Sequence, residues 1–171
     1  MKKLLPLLLL SAVVVSAQEA KKPLSPPAKT VATIGGKKIT IDYSAPSKRG
    51  RAIMGGLVPF DQVWRTGANA AATLVTEGDI MLGTVHVPAG TYTLYTLPGA
   101  KAWTLIVNKQ TGQWGTNYDE SQDLGRVKMT LAKTDAPVET FVIGIESKSP
   151  KSGLLTLTWE NTQASVPIIS H

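Results

Sequence analysis

From residue 29 onward the chain alternates apolar and polar positions with a period of two. Ile39, Ile41 and Tyr43 alternate with Lys38, Thr40 and Asp42; Val127, Met129 and Leu131 alternate with Lys128 and Thr130; Leu155, Leu157 and Trp159 alternate with Thr156 and Thr158. Successive side chains of an extended backbone point to opposite faces, so each stretch predicts a strand with one buried face. Residues 91–97 and 103–107 are richer in β-branched and aromatic side chains and predict more central strands. Further strands are expected at about 29–34, 70–76, 79–87 and 138–146. Gly35-Gly36 separates two of these runs and suits a two-residue hairpin, whose turn needs positive φ. No long amphipathic helical pattern is present. About nine short strands joined by tight turns predict an all-β fold, an antiparallel β-sandwich or open barrel with at most short helical turns.

Two long loops interrupt this rhythm, at residues 44–68 and 108–124. Irregular connections of that length are uncommon in compact domains and are often functional. The chain has four arginines, and Arg49, Arg51 and Arg65 all fall in the first loop with Lys48, against a lone Asp61. A guanidinium fork matches carboxylate or phosphate, and Gly50, Gly55, Gly56 and Gly67 let backbone amides approach an anion. The same residues would also serve a structural purpose, tying a long loop to backbone carbonyls. Residues 59–67 fit one short helical turn, with Pro59 at its start, Gly67 at its stop, and Val63 and Trp64 plugging the core. Arg65, Thr66 and Asn69 then stand at a junction where they either line a pocket or brace the turn.

The second loop carries Trp114, which either stacks on a flat ligand such as a sugar ring or folds down over one end of the sheet. Asp119, Glu120 and Asp123 lack the spacing of a calcium loop and read as a solvated acidic stretch, or as a counterpart to the basic loop. His86 lies in a strand pattern where, if that strand is regular, it shares a face with Ile80 and Leu82; it reads as a packed or edge histidine. The two histidines and absent cysteines offer no metal site. Asp61, Glu77 and Asp79 fall near loop ends, but no spacing rule pairs two of them for acid–base work.

The first 17 residues change the picture. Met1-Lys2-Lys3 is a basic start, residues 4–15 are an apolar run, and Val15-Ser16-Ala17 supplies small residues. This predicts a secretory signal cleaved after Ala17, hence a periplasmic or secreted protein. The apolar run is shorter than the roughly 20 residues a membrane-spanning helix needs. Residues 18–28 are polar and proline-rich and read as a flexible lead-in to one domain at 29–171. Losing Lys2 and Lys3 leaves 16 of 18 basic residues against 12 acids, a net charge of +4. That is too modest for a nucleic-acid partner. Without cysteines, thiol catalysis and disulfides are excluded.

The segments GRAIMGGLVPFDQVWRTGANAAATLVT at 50–76, VPAGTYTLYTLPG at 87–99 and WTLIVNKQTGQWG at 103–115, with weaker similarity at 126–131 and 137–146, resemble the bacterial family named domain of unknown function 2911. The first stretch carries one alanine more than the family pattern. The resemblance spans roughly residues 23–160 and implies an exported, β-rich envelope protein. It implies no activity, so no catalytic or binding residue is carried over. VWRTGAN at 63–69 is the family-like stretch to test first. The expected function is a cofactor-free binding module for a small polar, anionic or carbohydrate ligand, touched by Arg51, Arg65, Thr66, Asn69 and Trp114. The alternatives are an envelope structural or interaction protein and, last, a carboxylate-dependent hydrolase.

Overall fold

Among the described residues the alternation resolves into nine antiparallel strands and one 3-10 turn. A computed structural model describes residues 23–170. The expected signal at 1–17, the start of the lead-in, and His171 lie outside the described residues. The strands are β1 (Pro27–Ile34), β2 (Lys37–Ser44), β3 (Ala72–Thr76), β4 (Ile80–Leu82), β5 (Val85–Val87), β6 (Gly90–Pro98), β7 (Trp103–Asn108), β8 (Asp123–Ser149) and β9 (Ser152–Ser170). They form one open sheet in the order β1-β2-β3-β6-β7-β8-β9-β4-β5. The turn of Gly35 and Gly36, at φ 60° and 75°, joins β1 to β2 as the sequence predicts.

The sheet curls so that its two halves share one core. Ile39, Ile41, Leu74, Leu94 and Leu105 from one half meet Leu82, Leu155, Leu157, Trp159 and Ile168 from the other in a single buried cluster. The ladder does not close into a barrel. Instead β1 and β2 are pinned to β8 by side chains: the Thr30 hydroxyl donates to the Ile143 carbonyl, and the Ile143 N–H donates to the Tyr43 hydroxyl at 3.1 Å. β6 and β7 are buried on both faces, as their composition predicts. Their outward residues Tyr95 and Ile106 are roofed by the loop at 109–122 through Tyr118.

Two strand boundaries differ from the sequence reading. The expected strand at 79–87 is a hairpin, because Gly83 turns the chain at φ 55° and a side chain there would collide with Val127. The break reverses the face of His86: it is exposed, pairs in register with Met81, and lies on the terminal strand of the sheet. Conversely, the stretches at 127–131 and 138–146 are one strand, β8. Pro137 cannot donate to a ladder, and the pairing with β9 skips from Lys133 to Val138 around it.

The long loop after β2 is anchored to β9 by Lys48, whose ammonium lies 3.1 Å from the Glu160 carboxylate, both partly buried. Burial pushes the Glu160 carboxyl up, but the Lys48 contact and the N–H of Ile53 and Met54 outweigh it and hold it below its ordinary 4.5. A depressed folded-state value contributes stability that is fully present above the unfolded value and is lost as pH falls through the folded one. Glu160→Gln is therefore expected to cost roughly 1–2 kcal/mol at pH 7, with the deficit shrinking below pH 4.5. Urea titrations at pH 7 and pH 3 check this; an equal deficit at both would contradict it.

Candidate functional site

Residues 59–67 are not helical. Trp64 pairs with Thr96 of β6 through both backbone groups, its N–H donating at 2.7 Å and its carbonyl accepting at 2.9 Å. On either side the chain doubles back through left-handed residues, Asp61 at φ 59°, Thr66 at 55° and Asn69 at 60°. A helical turn over 59–67 would require Asp61 and Thr66 to lie near φ −60°. This short bridge drops the Trp64 ring onto the core aromatics. It stacks on Trp159 at 5.9 Å and 17°, and meets Phe141 edge-on at 5.0 Å and Trp103 at 6.4 Å. Val63, expected in the core, is 38% exposed.

Beneath the loop lies a cavity of about 500 Å³. Trp64 and Trp159 line it together with Val58, Leu57, Pro46 and the lead-in residues Leu24 and Ser25. Arg51, Arg65 and Asn69 also line it, three of the five expected contacts. They are not equivalent. The Arg51 guanidinium is spent on its own loop, Nε donating to the Lys48 carbonyl at 3.0 Å and Nη2 to the Ser47 carbonyl at 2.8 Å. Arg49 likewise donates to the Leu24 carbonyl, which ties the lead-in to the loop. Arg65 makes no such bond: its Nε is buried and unpartnered. Asn69 donates to the Ser44 hydroxyl at 3.2 Å and remains exposed.

Thr66 is corrected. It is fully buried, and its hydroxyl lies 3.3 Å from that of Thr96, so it braces the turn instead of facing the cavity. Trp114 stands on the surface of the second loop. It does not fold down over the sheet but is 56% exposed, and it lies outside the cavity lining. Its backbone bridges to Ala70, and Gly115 packs against the stem of Arg65, where any side chain would collide. The two long loops therefore meet at Arg65, and the second one fixes where that guanidinium sits.

Residues that the sequence reading did not assign to a site form the apolar part of the cavity. Trp159 looks like an ordinary inward strand residue, and Leu24 sits in a stretch read as a lead-in. Leu57 carries a usable signal: an apolar side chain following two glycines in a polar loop, here 46% exposed.

The acidic residues of the second loop are engaged by neighbours within and beside that loop and not by the basic loop. Asp123 accepts from Arg126 Nε at 2.8 Å, from the Tyr118 hydroxyl at 2.7 Å and from Asn108 at 2.9 Å. Glu120 pairs with Arg126 at 2.8 Å, and Asp119 caps the 3-10 turn. Burial, and then the hydrogen bond to Asp123, push the Tyr118 hydroxyl up to about 12. Asp79 lies 3.4 Å from His86 on the sheet edge and is held below its ordinary value mainly by the N–H of Ala89. Among the described residues, no three His, Cys, Asp or Glu side chains are grouped to hold a metal ion. No described helix is long and apolar enough to cross a membrane.

No curated protein and no solved structure matches the chain. The pattern of the family described as Protein of unknown function (DUF2911) matches residues 25–168, which take in β1 to β8, all but the last two residues of β9 and both loops that meet at Arg65, and the chain belongs to that family.

Proposed function

We propose that this is an exported envelope protein that binds a small anionic or polar ligand in the cavity beneath the first long loop. The observation that carries this reading is Arg65: a cavity-lining arginine with a buried Nε that nothing in the fold satisfies. Leaving a buried donor unpaired costs about 1–3 kcal/mol, and a ligand acceptor that draws the guanidinium into the cavity relieves that cost. A concave cleft with mixed apolar and polar lining and an aromatic floor is a usual form of small-molecule site. Catalysis is the weaker reading, because the lining contains no Asp, Glu or His to act as acid or base. Export is supported by the basic, apolar and small-residue succession of the first 17 residues.

A thermal-shift screen of the purified protein against carboxylates, phosphates and glycans tests the site. A stabilising ligand is expected to lose its shift in Arg65→Ala and to keep most of it in Arg51→Ala, since the Arg51 fork is already occupied. A hit unchanged by Arg65→Ala would place the ligand elsewhere.

A further inference from the structure

We infer that the ligand is an amphiphilic monocarboxylate, with its carboxylate on Arg65 and its hydrocarbon or aryl body laid along Trp64, Leu57 and Leu24. This rests on the cavity being a binding site and narrows what it binds. Three observations lead there.

The first is charge. Arg51 and Arg65 are the cationic residues of the lining, no lysine joins them, and Arg51 is committed to the carbonyls of Ser47 and Lys48. One guanidinium is left without a hydrogen bond of its own, and its planar fork matches the two oxygens of a carboxylate. The second is the wall. Beyond Arg65, the side chains that reach the cavity are mostly apolar, with Trp64 over Trp159 as a flat floor. A sugar needs a ring of hydrogen-bonding partners, and Asn69 and Ser25 are the uncharged polar side chains present. The third is exposure. Leu24 and Leu57, both on the lining, are 67% and 46% exposed, and Phe60 and Val63 follow on the same loop at 39% and 38%. Apolar side chains left in water around a cavity mouth gain by covering an apolar ligand.

Isothermal titration calorimetry on the purified protein decides the matter, using acetate, hexanoate, octanoate, octanamide, inorganic phosphate and glucose. Affinity is expected to rise from acetate to octanoate by about two- to fourfold per methylene, as burial of a hydrocarbon chain requires. Arg65→Ala is expected to weaken octanoate at least tenfold while changing octanamide less than twofold. Leu57→Ser, at an exposed position that the fold does not need, is expected to flatten the chain-length dependence. Affinity independent of chain length, or octanamide binding as tightly as octanoate, overturns the inference. If phosphate or glucose binds through Arg65 and octanoate does not, the amphiphile is wrong and the cavity reading survives. If nothing in the panel binds in an Arg65-dependent way to protein with a normal melting transition, both fall.

Discussion

Trp159→Ala is expected to lower the unfolding free energy by about 3–5 kcal/mol, the range for removing a large buried aromatic side chain. Trp159 is 1% exposed, stacks on Trp64, and meets Phe141 at 5.8 Å. Its indole N–H donates to the Glu139 carbonyl at 3.1 Å, on the stretch of β8 that the first long loop crosses. Truncation opens a void that rigid neighbours on β7, β8 and β9 cannot fill, and it removes the support on which Trp64 rests. Loop and core should therefore fail together. Urea unfolding should show a lower midpoint with an unchanged slope. Trp159→Phe, which keeps a ring but loses the N–H and some volume, should cost distinctly less. A loss below about 2 kcal/mol for the alanine variant would mean that the loop collapses into the space and that the cavity floor is not rigid.

Asn108→Leu should cost about 3 kcal/mol, for a different reason. Asn108 is fully buried, and its amide closes the second long loop on itself. The nitrogen donates to the Asp119 carbonyl at 2.8 Å and to Asp123 Oδ1 at 2.9 Å, and the oxygen accepts from the Gln110 N–H at 2.9 Å. Leucine fills similar space but satisfies none of the three partners, one of them charged, and unpaired buried groups cost about 1 kcal/mol or more each. The signature is local as well as global. Amide hydrogen exchange should accelerate across residues 109–122, which roof Tyr95 and Ile106, while β2 and β3 stay protected. Destabilisation with uniform exchange throughout the sheet would show that Asn108 acts through general packing and not as the clasp of this loop.

Strands with one wet face are easy to read in the sequence, because burial on alternate residues is written directly as alternation; β2, β3 and the start of β9 are of this kind. Punctuation is harder. Gly83, one glycine inside an apolar run, splits a strand, whereas Asp135-Ala136-Pro137, which resembles a turn, is carried through as an irregularity of β8. A single residue's φ decides the first case and the partner strand decides the second, and neither is visible in local composition. The site divides similarly. Arg65 and Asn69, which line the cavity, stand out in the sequence because the chain has few arginines and they cluster in one interruption. The burial of Thr66 was not legible because a left-handed threonine is rare and nothing in its neighbours announces one. Arg51 looked as available as Arg65; only the folded loop shows which guanidinium its own carbonyls have taken. Trp159 could not be assigned to a cavity until the loop that covers it was in place.

β8 serves both halves of the sheet. Its start pairs with β7 through Met129, its remainder pairs with β9 from Thr130 onward, and β1 is fastened to it across 113 residues of sequence by the Thr30 contact. Neither half can then mature alone: until the last third of the polypeptide has emerged, β7 has a bare edge and β1 has nothing to close against. Such distant pairings make for slow folding. A nascent chain of this design stays open while it is being made, which is compatible with the export we propose.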